Sequence, residues 1–233
     1  MLFITDKYLM LKDMTCPICQ MSFNTTKVRT TKLRMLDRDT DFCTYYEGVN
    51  PYFYEINVCP ECGFAFSDNF NDSIADENAN KFREIVSSKW AKRDFGGLRD
   101  IDQAIESFKL AIASAQIVGL KDSRVAGLCL RIAWLYRIKE NREEEVRFMK
   151  WAVRLYEKAY QWEDFDTEDS MDMGTVLYLL GELNYRIGNY EKASNWFNIA
   201  ITKLTNAPGV SARTMVLIRD RWHDIRADIK KAL

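Results

Sequence analysis

The chain has 233 residues, 47% of them hydrophobic and 29% charged, which excludes a disordered segment or a fibre. Its 33 basic and 34 acidic residues leave a formal charge of −1, which argues against a dedicated nucleic-acid binder. No apolar stretch approaches the ~20 residues of a membrane-spanning helix, and residues 1–12 lack the apolar core of a secretory signal. We therefore expect a cytoplasmic protein with reduced thiols and no membrane partner.

Residues 1–75 are predicted to form a small β-rich module, because they are rich in β-branched and aromatic residues and lack helical periodicity. Two C-P-x-C knuckles lie within it, and the second is followed by Gly63, which tolerates a positive φ. Paired C-x-x-C motifs at this spacing predict one structural zinc per chain with no open coordination position. The predicted ligands are Cys16, Cys19, Cys59 and Cys62.

Other uses of the four thiols are open at this point. A disulfide pair or a redox-active C-x-x-C is possible, although one knuckle would suffice for redox work and neither lies in a thioredoxin-like order of elements. An iron–sulfur cluster also takes four thiolates, but the two symmetric turns favour zinc. Gln20 stands where the first knuckle would usually have glycine, so we expect a looser turn there.

Between the knuckles, residues 27–38 alternate apolar with basic, and a slip in parity at the threonine pair predicts a β-bulge. With nearby tyrosines this basic strand is an alternative nucleic-acid surface, although the solvated face of a strand pair explains it better. The alternative contacts are Lys27, Arg29, Lys32 and Arg34.

Cys43 has no cysteine or histidine at ligand spacing, so we expect a packed thiol outside the metal shell. The nearby aspartates Asp37, Asp39 and Asp41 lack the glycine and the distant glutamate of a calcium loop. We interpret them as loop and strand-end residues, with Arg38 as a candidate partner.

Several motifs follow one another over the first 75 residues: Cys16-Pro-x-Cys19, residues 37–42, Tyr45, Asn50-Pro51, Tyr54 and residues 58–65. Their order and spacing resemble those of a bacterial family known as domain of unknown function 2225. The resemblance implies a cytoplasmic bacterial protein with a cysteine-rich N-terminal module and a helical C-terminal part. It implies no activity.

From about residue 76 the apolar period becomes about 3.6 and stays so to the end, which predicts a helical domain over residues 76–233. Local signals mark helix limits, with caps at Asp100, Ser170 and Ser211 and helix-ending glycines at positions 119 and 188. The acidic residues 163–169 are interpreted as a soluble connector, with a docking loop as the alternative.

The helices form repeating pairs. Leu177, Gly181, Tyr185, Ala193 and Phe197 fall where the tetratricopeptide consensus places its packing residues, and weaker copies precede them. The predicted fold is therefore mainly α, a tetratricopeptide-like α–α superhelix with a small N-terminal β-rich, zinc-ribbon-like module. We expect about three helix pairs and a C-terminal capping helix.

No nucleotide-binding loop occurs, and the single histidine, His223, has no visible catalytic partner. The sequence therefore favours a non-enzymatic scaffold that binds a protein or peptide in the groove of the helical repeats, with a hydrolase or redox enzyme left open. The predicted groove residues are Trp134, Arg137 and Tyr178.

Overall fold

The structure is a computed structural model that describes residues 7–68, 73–165, 171–205 and 211–232. It is mainly α with a small β-rich N-terminal region, which confirms the predicted fold class at that level. The chain divides into two compact units. The first unit comprises Met1–Leu120 and Leu128–Glu145, and the second comprises Lys121–Gly127 and Val146–Leu233.

Three antiparallel hairpins form the β-rich region. The first and third present the cysteine knuckles in their turns, because each pair of strands ends where a knuckle begins. The strands are β1 (Leu9–Thr15) with β2 (Ser22–Val28), β3 (Met35–Arg38) with β4 (Thr44–Tyr46), and β5 (Ile56–Val58) with β6 (Ala65–Ser67).

The predicted basic strand over residues 27–38 is not one strand. A 3₁₀ turn at Thr30–Lys32 separates the end of β2 from β3, and this turn, not a bulge, causes the slip in parity. The register irregularity lies farther on, between Met35 and Asp37, opposite β4.

Helices α1 (Asp76–Ile85) and α2 (Ile101–Val118) complete the first unit together with part of α3 (Asp122–Ile138). Asp100 caps α2 through a capping box, and Gly119 ends it with φ of 75°, so both predicted limits are confirmed. The first and third hairpins bury apolar side chains against α1 and α2, so the expected domain limit near residue 75 falls inside the first unit.

The second unit contains most of α4 (Arg142–Trp162), followed by α5 (Met173–Arg186), α6 (Tyr190–Leu204) and α7 (Ala212–Ala232). Ser211 caps α7 by accepting a hydrogen bond from the Thr214 backbone N–H at 3.0 Å, as predicted. The predicted cap Ser170 lies outside the described residues, and Asp172 caps α5.

Helices α5 and α6 approach each other closely at Gly181. A Cβ atom added there would lie 2.7 Å from the ring of Phe197, so only glycine permits this distance. Trp222 of α7 stacks on the same ring at a centroid distance of 5.7 Å. This agrees with small residues at a helix-pair interface, while the tetratricopeptide assignment stays a prediction. None of the helices in the described residues is long and apolar enough to cross a membrane.

Candidate metal centre

The two knuckles have the same backbone geometry. Gln20 N–H donates to the Cys16 carbonyl at 3.0 Å, and Gly63 N–H donates to the Cys59 carbonyl at the same distance. Gln20 adopts φ of 60° and Gly63 adopts 77°. The expectation of a looser first turn is therefore wrong, because glutamine takes the left-handed conformation that glycine takes in the second.

Gly63 has an additional role that Gln20 lacks. Trp90 lies over it, and a Cβ atom at position 63 would come within 2.6 Å of the indole ring. The indole N–H of Trp90 donates to the Pro60 carbonyl at 3.0 Å, which fixes the ring over the second knuckle. Position 63 therefore requires glycine, because the ring of Trp90 leaves no room for a Cβ atom there.

The knuckles bring Cys16, Cys19, Cys59 and Cys62 together, with all four sulfur atoms within 4.8 Å of one another. Cys16 Sγ lies 3.5 Å from Cys62 Sγ, and Cys19 Sγ lies 3.6 Å from Cys59 Sγ. Four sulfurs around a zinc ion at about 2.3 Å would be about 3.8 Å apart in a tetrahedron. All six cysteines are free thiols. The tetrad therefore fits a metal ion.

Hydrogen bonds between the thiols of the tetrad separate their pKa values. Hydrogen bonding to Cys59, with burial, raises the pKa of Cys16 to about 12, and hydrogen bonds from Cys16 and Cys59 raise that of Cys62. The hydrogen bonds that Cys59 accepts from Cys16 and Cys62 lower its pKa to about 2. One thiolate is thus stabilised by neighbouring thiols, and a divalent cation would allow further thiols to ionise.

Cys16, Cys59 and Cys62 belong to a buried apolar cluster of the first unit, and Cys19 packs against it. Residues of both knuckle hairpins, α1 and α2 surround the tetrad, and Arg83 of α1 donates to the Ile18 carbonyl at 2.6 Å. The buried apolar neighbours are Ile18, Phe64, Phe66, Ala79, Phe82 and Val118. A metal at this position would join the two knuckle hairpins beneath α1 and α2.

Cys43 is a buried thiol outside the tetrad, as expected, and burial raises its pKa to about 12. Of the aspartates near it, Asp37 accepts a hydrogen bond from the Arg38 backbone N–H at 2.7 Å, whereas the other two contact α3. Asp39 and Asp41 accept hydrogen bonds from Arg137 of α3 at 2.6 and 2.5 Å. Trp134 donates its indole N–H to Asp41 at 3.2 Å.

Trp134 is buried, which corrects its assignment to a groove surface, whereas the assignment of the partly exposed Arg137 stays a prediction. Arg137 also donates from Nε to Glu145 at 2.7 Å, so three carboxylates surround its guanidinium inside the first unit. Sequence reasoning missed this network. The signal was present as the i,i+3 placement of Trp134 and Arg137 on one face of α3.

The prediction that Tyr178 lies in a groove is also wrong, because the residue is buried. It lies on α5 with a relative exposure of 1% and contacts Phe197 edge to face, with ring centroids 6.2 Å apart. It is a core residue of the second unit because α6 covers the face of α5 on which it lies.

The four alternative nucleic-acid residues are separated by the fold. Lys27 is buried, and its ammonium group contacts the Tyr54 carbonyl at 3.0 Å and the Asp68 carboxylate at 2.9 Å. Burial lowers the pKa of Lys27. Arg29, Lys32 and Arg34 are exposed. Lys27 is thus a structural residue, and three of the four remain on the surface.

Comparison with known proteins gives a family without an assigned activity. The family model described as "Uncharacterized protein conserved in bacteria (DUF2225)" matches residues 9–225, so the chain belongs to this family, as the N-terminal motifs indicated. An "Uncharacterized protein" of Borreliella burgdorferi strain B31 is 23% identical in an alignment of 275 positions, gaps included, that covers 97% of each chain. No solved structure matches the chain.

Proposed function

We propose that the chain is a non-enzymatic scaffold in which one structural zinc ion stabilises the first unit and the helical region binds a protein or peptide in the cytoplasm. The observation that supports this best is the tetrad of sulfur atoms within 4.8 Å of one another, held by two turns of equal geometry.

Zinc is the metal that this donor set favours, because four thiolates in a tetrahedral arrangement are typical of structural zinc sites. Four protein ligands leave no position for water or substrate, as a catalytic zinc would require. Cys16 and Cys59 are fully buried among apolar side chains. The ion would therefore contribute to the stability of the first unit instead of reacting.

The scaffold role is supported by the packing of the second unit. Gly181 allows α5 and α6 to approach closely, and α7 covers the pair through Trp222. Packed helix pairs of this kind present long exposed helix faces, which suit extended ligands. Trp134 and Tyr178 are buried and Arg137 is ion-paired inside the first unit, so the proposed binding surface consists of other, exposed residues.

The experiment is affinity capture with the metal-loaded full chain, followed by reconstitution of the complex from purified components. A stoichiometric complex that forms from the purified pair supports the scaffold role. Recovery of no partner, or turnover of a substrate that survives complete metal removal, contradicts it.

Nucleic-acid binding is a second candidate, because Arg29, Lys32 and Arg34 are exposed close together in the chain. Phosphate contacts would make binding of RNA or DNA fall steeply with salt. A double substitution, Lys32→Gln with Arg34→Gln, should then weaken binding and reduce its salt dependence. Unchanged binding in this variant would rule out the exposed basic residues as the contact surface.

A further inference from the structure

Helix α4 has an exposed face that combines cations with tryptophans. At about 100° per residue, these side chains fall within a stripe of about 120°, roughly 22 Å long. All of them belong to the second unit. We call this the α4 face, and it consists of Arg147, Lys150, Trp151, Arg154, Lys158 and Trp162.

The exposure of the two tryptophans is unusual for such a large side chain. Trp162 is 79% exposed and Trp151 is 36% exposed. The opposite side of the helix is buried, with Met149, Ala152 and Tyr156 in the core of the unit. The helix is therefore anchored by one side, and folding of the described residues leaves the aromatic surface of Trp162 in contact with water.

The α4 face carries four cations from Arg147 to Lys158, and the acidic residues Glu143 and Glu144 lie on the same side of the helix one turn before it. The carboxylate of Glu157 lies beside the stripe and pairs with Lys192 at 3.2 Å. Lys158 contacts Asp122 at 2.9 Å while its side chain stays 61% exposed. The Arg147 guanidinium lies 4.9 Å from the ring centroid of Phe148.

We propose that the α4 face binds an acidic, amphipathic segment of a partner protein. This inference rests on the proposed scaffold function and names the class of partner. Cations three or four residues apart on a helix match carboxylates at the same spacing on a partner helix. Exposed tryptophan and arginine are the side chains that most often dominate protein interfaces.

Two other anionic partners fit less well. Single-stranded nucleic acid stacks successive bases on neighbouring aromatic rings, but Trp151 and Trp162 are about 16 Å apart along the helix axis. An interfacial membrane helix separates its apolar face from its cationic face, whereas here both residue types lie in one stripe.

The test measures binding of a labelled acidic amphipathic peptide of about 15 residues to the full, metal-loaded chain. A second peptide replaces each glutamate with glutamine, and oligouridylate and phosphatidylglycerol vesicles serve as the other anionic probes. The variants are Trp162→Ala and the pair Lys150→Gln with Arg154→Gln. The matched control is Arg219→Gln with Arg226→Gln, which removes two exposed cations from α7 of the same unit.

We expect Trp162→Ala to weaken peptide binding about 30-fold and the double charge variant about fivefold, with the control unchanged. Circular dichroism should show unaltered folding, since the changed side chains are exposed. Equal binding by all variants, no binding of the acidic peptide at about 1 mM, or preference for oligouridylate or vesicles would overturn the inference. Capture of a partner that is unaffected by these variants would overturn it while leaving the scaffold function intact.

Discussion

Arg137→Met removes the cation from a buried network in the first unit. The wild-type guanidinium contacts Asp39, Asp41 and Glu145 at 2.6, 2.5 and 2.7 Å. Asp41 is completely buried and the Glu145 side chain is 4% exposed. Methionine has a similar length but no charge, so it leaves buried carboxylates without their main counter-ion. Breaking a buried pair in this way costs about 3–5 kcal/mol.

This loss is large beside the total of about 5–15 kcal/mol that stabilises a typical protein. The assay is urea unfolding followed by hydrogen exchange in peptides of α3 and of the β3–β4 hairpin. Arg142→Met is a matched control, because Arg142 contacts the same Glu145 at 2.8 Å but is 60% exposed. It should cost about 1 kcal/mol or less.

Adding Asp41→Asn to Arg137→Met should cost less than the sum of the two single changes, since neither charge is then left alone. A loss of under about 1 kcal/mol for Arg137→Met, equal to that of Arg142→Met, would refute the buried network. Additivity of the two changes would show that Asp41 and Arg137 do not interact.

Three further changes test other parts of the structure. Gly63→Ala should destabilise the first unit by more than about 1 kcal/mol in urea unfolding, because of its positive φ and the ring of Trp90, whereas Gln20→Gly should change stability by less. Burial raises the pKa of Cys43 from 9.0 to about 12. The contribution of the protonated Cys43 thiol to the stability of the folded protein is therefore complete below pH 9 and is lost as the pH rises to 12. The unfolding free energy of wild type should therefore fall between these pH values by about 1.4 kcal/mol per pH unit more than that of Cys43→Ala. Glu182→Gln should lower the thermal stability of the second unit by about 2–3 kcal/mol, because the buried carboxylate binds two arginines at 2.6 Å.

Features that depend on neighbouring residues could be predicted from the sequence. The capping box at Asp100, the left-handed Gly119 and the cap at Ser211 are local, so short motifs suffice to locate them. The two knuckles could also be located from the sequence, because the spacing of two cysteines in a turn is set by the backbone within that turn.

Features that depend on distant residues could not be predicted. Trp134 and Arg137 are on α3, but their partner Asp41 is more than ninety positions earlier in the chain. The alternating pattern of residues 27–38 predicts that Lys27 is exposed. In the structure Lys27 is buried, and its ammonium group contacts Asp68 and a backbone carbonyl. Periodicity identifies the faces of an element, and tertiary packing decides which charged side chains become internal.

The extent of the first unit also depends on contacts between residues that are distant in the chain. The composition changes near residue 75, but Phe82 of α1 and Val118 of α2 lie in the same apolar cluster as the cysteine tetrad. Loss of the metal should therefore affect α1 and α2 along with the hairpins, not the β-rich segment alone.

The most direct test is elemental analysis of the purified protein, combined with thiol titration before and after chelation. We expect about one zinc per chain and four thiols that become reactive on chelation. Cys43 and Cys129 should not contribute before unfolding, since burial raises the pKa of each to about 12. Iron in place of zinc, or no metal with thiols that react at once, would contradict the structural centre and indicate redox chemistry at the two C-x-x-C turns.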